Sequence, residues 1–207
     1  MRRAWKFASL VLLAVVLVVV VTGTLIIRRG FSAREQPTAV EAFVARTARR
    51  MATPASMKNA RNPFTATPEI LAEARAHFAD HCATCHANNG SGNTEIGQNM
   101  YPKPPDMRLA QTQQLTDGEI FSIIHNGVRL TGMPAWGEAN PNADQDSWKL
   151  VLFIRHLPQL TAEEEKEMEA LNPKSPQELR EEQEEQQFLN EQQSTETKPK
   201  QQRKPHH

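Results

Sequence analysis

Three observations predict an all-α chain that begins with one helix of membrane-spanning length. An uncharged run extends from Phe7 to Ile27, 21 residues, enough to cross a hydrocarbon layer of about 30 Å as a helix. Apolar residues recur at helical spacing in three later stretches, 70–81, 117–126 and 144–157. Helix punctuation marks their edges: Thr67-Pro68-Glu69, Thr116 with Glu119, and Asn126-Gly127. A βαβ pattern is not found.

The N-terminus opens with the short basic stretch Met1–Lys6. The run that follows centres on Val11–Val21. Valine is no obstacle to helix there, because lipid obliges the backbone to satisfy itself. A cleaved signal peptide is the rival reading. Its apolar core is usually about 7–15 residues and ends at a small-x-small site. Phe31-Ser32-Ala33 places a large residue where a small one is needed, and Arg28-Arg29 follow the run directly. Residues 1–27 are therefore expected to remain as an anchor. Arg2, Arg3 and Lys6 favour a cytoplasmic N-terminus, whereas Arg28, Arg29 and Arg34 pull the other way.

Residues 28–66 form a basic connector. Between 28 and 62, eight Lys or Arg stand against Glu35 and Glu41. Pro37 is expected at the first turn of a helix. Val40, Phe43, Val44 and Thr47 share one face, and Arg46, Arg49 and Arg50 lie off it. Two readings stand: a solvated spacer, or an arm lying on an anionic membrane surface or a partner subunit. Pro54, Pro63 and Pro68 break the chain before the next element.

The segment 67–160 carries the chemistry. Thr67 caps a helix, with Pro68 at its first position, and Ile70, Leu71, Ala74, His77, Phe78 and His81 follow with helical period. The helix runs into Cys82-Ala83-Thr84-Cys85-His86, which reads as a c-type haem attachment site. Two residues between the cysteines let one helical turn present both sulfurs to two vinyl groups. His86 then follows where an imidazole would ligate iron. These are the only cysteines in the chain. A thioredoxin-like pair would need a βαβ setting. Half a zinc site would need further ligands, which His77 and His81 do not supply at a zinc-like spacing.

From Ala87 to Met107 the chain holds Gly90, Gly92, Gly97, Pro102, Pro104 and Pro105. That much punctuation predicts a loop. Thr116 and Glu119 begin a capping-box helix that Asn126-Gly127 ends. Gly132-Met133-Pro134-Ala135-Trp136-Gly137 is a tight loop, and Asp144–Leu157 is the last helix of the segment.

This order resembles a class I c-type cytochrome. The resemblance rests on the helix before Cys82-x-x-Cys85-His86, the Pro-rich loop, the Asn126-Gly127 to Met133-Pro134 run and the Trp148-Lys149-Leu150-Val151 helix. It looks most like the small single-haem domain of oxidase subunits and membrane-anchored cytochromes. Such a domain implies an all-α fold whose first and last helices cross near the haem, with Phe78 and Trp148 meeting there. It also implies one covalent haem c. Because cytochrome c maturation takes place outside the cytoplasmic membrane, the bulk of the chain is expected on the periplasmic or outer face.

Met133 is the candidate for the second axial ligand, opposite His86. Gly132 permits a close approach and Pro134 stiffens the chain after the sulfur. Met100, Met107 and His125 are its rivals. His125 and His156 are otherwise expected on helix surfaces. By the resemblance, a carbonyl in 102–105, Pro104 foremost, would accept the second imidazole N–H of His86. Arg108, Arg129 and Trp136 are candidates to neutralise or hydrogen-bond haem propionates. Ala87 stands where such cytochromes often carry glycine.

Residues 161–207 form a polar, Glu- and Gln-rich tail, largely disordered or loosely helical, with Thr161 starting a short helix and a docking segment for a partner as the alternative. His206-His207 is too short for a metal site. The chain is neutral overall, but charge is uneven: basic in the connector, acidic in the domain and tail. No basic patch on the folded segment suggests nucleic acid. At about 95 residues, the segment is small for a self-sufficient core, and a covalent haem would supply much of the interior.

The expected function is electron transfer between respiratory or dehydrogenase partners, with no substrate transformed. Alternatives are a cytochrome subunit of a larger oxidase or dehydrogenase, or an open-site haem enzyme such as a peroxidase.

Overall fold

The computed structural model describes residues 2–30, 32–138, 140 and 143–196. Phe31 of the cleavage-site argument and His206-His207 lie outside these. Helix α1 (Arg2–Arg29) opens the chain. An 18-residue window of its stretch Trp5–Arg28 has a mean hydropathy of 3.2, and none of that window is buried in the protein. It is long and apolar enough to cross a membrane.

Helix α2 (Ala39–Ala52) is capped by Thr38, whose hydroxyl accepts from Glu41 N. Pro37 precedes the cap, two positions before the first helical residue rather than in the first turn as expected, and the Thr38 side chain takes an orphan N–H. The short α3 (Ala55–Lys58) follows. Helix α4 (Pro68–His77) starts at the Thr67 cap with Pro68 at its first position.

Sequence periodicity predicts plain α-helix into Cys82. The structure loosens instead to a π-helical turn over Phe78–Cys82, and α-helix resumes in α5 (Ala83–His86). No cap or turn residue announces such a widened turn in the sequence. The loop after the motif contains one helical turn, α6 (Glu95–Gln98), capped by Thr94. Then come α7 (Ala110–Gln113), α8 (Asp117–Asn126) with its Thr116–Glu119 capping box, and α9 (Gln145–His156) capped by Asp144. A 3-10 turn (Leu157–Gln159) leads to α10 (Ala162–Glu169) and α11 (Pro176–Glu196). The described residues contain no strand, so the fold is all-α.

The core forms where α4 and its π-turn cross α9. Phe78, Val151, Phe153 and Met168 are 0 % exposed, each side chain contributing about 1.5–3 kcal/mol by leaving water. The aromatic partner of Phe78 is Phe153, with ring centroids 5.1 Å apart. Trp148, expected at that crossing, stacks instead on Phe121 of α8 at 4.2 Å. Trp148 lies five residues before Phe153 in α9, so the two rings leave the helix on different faces.

Both flanks add to this body. Asn62 Nδ2 donates to Trp148 O at 2.8 Å. Thr116 Oγ1 donates to Lys58 O at 2.8 Å, and Gly118 lets the Met57 carbonyl approach α8 where any Cβ would collide. On the other side, α10 inserts Met168 into the core, and Arg75 of α4 pairs with Glu164 and Glu167. Arg155 clips α9 to the start of α8 through Asp117 Oδ1 at 3.0 Å and the Gln113 and Leu115 carbonyls.

Candidate functional site

The π-turn and α5 present Cys82, Cys85 and His86 within one continuous helical stretch. Both cysteines are free thiols and partly exposed. Burial, followed by the neighbouring Cys85, pushes the Cys82 thiol up to about 12. Burial raises Cys85 as well. Burial pushes the His86 imidazole down to about 4, so it is neutral at neutral pH. Its Nδ1 is buried without a hydrogen-bond partner, an exception among the described residues. Leaving such an atom unpaired costs about 1–3 kcal/mol. The bond expected from His86 to the Pro104 carbonyl is therefore not formed. That carbonyl lies over Gly92 instead, 2.6 Å from where a Cβ would stand.

The backbone around the motif is tightly held. Gly92 N donates to His86 O at 2.7 Å, and Thr94 Oγ1 donates to Cys85 O at 3.3 Å. Gly97 presses on the same Cys85 carbonyl and leaves no room for a Cβ. Ala87 caps α5 with φ 61° and ψ 156°, a region occupied almost only by glycine.

The Met133 loop is a closed strap on the end of α8. The last carbonyls of a helix lack partners. Here Trp136 N donates to Ile124 O at 3.1 Å and Gly137 N to His125 O at 3.0 Å. Inside the strap, Val128 N donates to Met133 O at 3.1 Å, and Met133 N donates to Thr131 Oγ1 at 3.1 Å. Gly127, with φ 64°, turns the chain where a Cβ would sit 2.5 Å from the Pro134 backbone. Met133 is thus fixed through its own backbone, and its side chain is partly buried.

The rival residues are placed differently. Met100 reaches the same loop, its terminal methyl against Gly132. Met107 belongs to the apolar core and is 7 % exposed. His125 is not on the surface: Phe121 stacks on it at 5.3 Å, and its Nδ1 lies 2.6 Å from Asp144 Oδ2. His156 is partly buried and pairs with Glu164. Among the propionate candidates, Arg108 forms a two-pronged bond to Asp106, at 2.9 and 2.7 Å. Arg129 is exposed. Trp136 is 40 % exposed and meets His81 edge-on at 5.4 Å.

The family model for cytochrome C oxidase, cbb3-type, subunit III matches residues 69–154. That stretch is a c-type cytochrome domain like those of oxidase subunits. No curated protein matches the chain. The matched segment runs from the first turn of α4 to the last turns of α9, so it contains the cysteine motif and the methionine strap.

A c-type cytochrome domain implies a haem, and the residues present fit one. The cytochrome domain holds a partly buried, neutral imidazole whose Nδ1 is buried and unpaired. Two thiols precede it at the attachment spacing. Gly92 and Gly97 keep the segment after the motif against its backbone. The signal for the strap was in the sequence, as Asn126-Gly127 and Gly132-Met133-Pro134. The two spacing glycines carried no such signal, since a loop glycine gives no indication of what approaches it.

Proposed function

We propose that the chain is a membrane-anchored cytochrome c with one covalent haem, passing electrons between respiratory or dehydrogenase partners. Cys82 and Cys85 would hold the group, each S–H adding across a vinyl C=C to leave a thioether. His86 and Met133 would fill its two axial positions. When bound, haem supplies a one-electron ferric–ferrous couple.

The chain's own part is to hold and tune. The His86 imidazole carries this reading: burial keeps it neutral, the form that binds a metal, and leaves its Nδ1 unpaired for a carbonyl acceptor. The strap keeps Met133 in one turn, which so weak a ligand as a thioether requires. Pro104, Arg108, Arg129 and Trp136 are the residues proposed around that centre. The Pro104 carbonyl would take the His86 N–H only after a shift of the 102–105 loop. A ligand at both axial positions leaves none for substrate, so the chain acts as a carrier and not as an enzyme.

The proposed organisation is an anchor (1–27), a connector (28–66), the haem domain (67–160) and a tail (161–207). The haem domain would face the periplasm or outer side of the cytoplasmic membrane. The description of the matched family, an oxidase subunit, favours a second reading in which the chain serves a larger complex. Co-purification of catalytic subunits from detergent-solubilised membranes would separate it from a free carrier.

Met133 is tested by spectroscopy. The ferric protein should show the weak far-red sulfur–iron band. Met133→Ala should abolish it, open the sixth position to exogenous ligands and lower the potential, whereas Met100→Ala and Met107→Ala should keep it. Loss of the band in Met100→Ala alone would move the ligand to Met100. Absence of the band from the wild-type ferric protein would favour an open-site enzyme.

A further inference from the structure

The geometry points to α2 as a membrane-surface element: its apolar face docks on the anionic lipid headgroup layer and so sets how the cytochrome domain stands above the bilayer. The inference rests on the proposed reading of α1 as a membrane span.

Helix α2 has two opposite faces. Val40, Phe43, Val44 and Met51 are 73 %, 67 %, 57 % and 80 % exposed. At about 100° per residue they fall within one stripe, roughly a third of the circumference. Ala42 and Arg49 are less exposed and lie on the opposite side. That side meets the cytochrome domain. Arg49 and Arg50 line a crevice with Thr53, Leu115, Glu119 and Ile123, and Tyr101 Oη donates to Glu41 Oε1 at 2.5 Å. The apolar stripe therefore points away from the domain that holds the helix.

Charge and chain continuity select the occupant. Arg46 flanks the stripe on one edge and is exposed, and Arg50 stands between that edge and the crevice. Arg28, Arg29 and Arg34 lie between it and the apolar run. A helix with aromatic and aliphatic residues on one face and arginines beside them suits the headgroup boundary of anionic lipid. The connection from Arg29 to Ala39 is short. A helix tethered that closely to a span is held at the bilayer surface, where docking is intramolecular and needs little intrinsic affinity. A solvated spacer would have no need for the exposed Phe43.

Spin labels test this in the full-length holoprotein, reconstituted into phosphatidylglycerol-containing vesicles. Labels are placed through Phe43→Cys and Val44→Cys on the stripe, and through Ala45→Cys off it. Wild-type protein, with Cys82 and Cys85 in thioethers, should take up no label. Uptake there would count against the haem reading and not against docking. Resistance to alkaline carbonate extraction reports α1 separately.

Labels at 43 and 44 should be more accessible to oxygen than to a water-soluble nickel complex, and the label at 45 should show the reverse. Arg46→Gln should lower the ratio of docked to undocked helix about fivefold. Equal nickel access at all three positions would mean a solvated spacer and overturn the proposal. Shielding of 43 and 44 from both reagents would mean a protein covers the stripe, and would overturn it equally.

Discussion

His125 Nδ1 stands 2.6 Å from Asp144 Oδ2 and joins the last turn of α8 to the capping residue of α9. The other oxygen, Asp144 Oδ1, accepts from Ser147 N at 3.0 Å. One buried carboxylate thus starts α9 and holds the helix end from which the methionine strap hangs. Gly137 closes that strap on the His125 carbonyl.

The pair gives stability a pH dependence. Burial alone would raise the Asp144 carboxyl, but the hydrogen bonds from His125 and Ser147 outweigh it and hold it below its ordinary 3.8. A depressed carboxylate contributes stability that is complete above its unfolded value and is lost as pH falls through the folded one. Asp144→Asn keeps a competent cap and removes the charge. Urea unfolding at neutral pH should find it less stable than wild type, with the gap closing well below pH 3.8. Asp144→Ala should cost about 2–3 kcal/mol, since it loses the cap and strands His125. A gap between wild type and Asp144→Asn that stays constant down to strong acid would contradict this role.

Ala87 holds φ 61° directly after His86, at a cost of about 1–3 kcal/mol for a residue with a Cβ. Glycine removes that strain and returns about 0.5–1 kcal/mol in unfolded-chain entropy. Ala87→Gly should therefore stabilise the holoprotein by about 1 kcal/mol, raising Tm by about 4–8 °C. An unchanged or lower Tm in a thermal melt would mean the strain is relieved elsewhere.

Met168 is 0 % exposed although an acidic run surrounds it. Met168→Ala should cost about 2–5 kcal/mol through the cavity it leaves. Leu179→Ala in α11, where the side chain is 46 % exposed, should change stability by less than about 0.5 kcal/mol. Equal small effects in denaturant titrations would show that α10 does not belong to the core.

Much of this was legible because helix ends are written in local chemistry. Thr67-Pro68, the Thr116–Glu119 box and Asp144 each satisfy backbone groups within three residues, so short sequence windows contain them, and Gly127 ends α8 through its own positive φ. The cysteine motif was legible for the same reason. What escaped depended on distant partners. Nothing near His125 announces Asp144, nineteen residues on, so a helix-end histidine read as surface. Nothing in the acidic run around Met168 shows that α4 and α9 leave space for it. Phe78 and Trp148 were paired by family resemblance, whereas the packing faces of α9 pair Phe78 with Phe153. The π-turn at Phe78–Cys82 is one widened turn, which no cap or turn residue announces in the sequence.

The central claim is that Cys82 and Cys85 carry one covalent haem, and intact mass measures it most directly. The protein, expressed with cytochrome c maturation factors, is unfolded and extracted with acidified organic solvent before weighing. The account predicts a polypeptide heavier by one haem, with that increment carried by a single thioether in the loaded fraction of Cys82→Ala or Cys85→Ala and absent from the double variant. A mass equal to the bare chain, with haem in the organic phase or absent altogether, would contradict it.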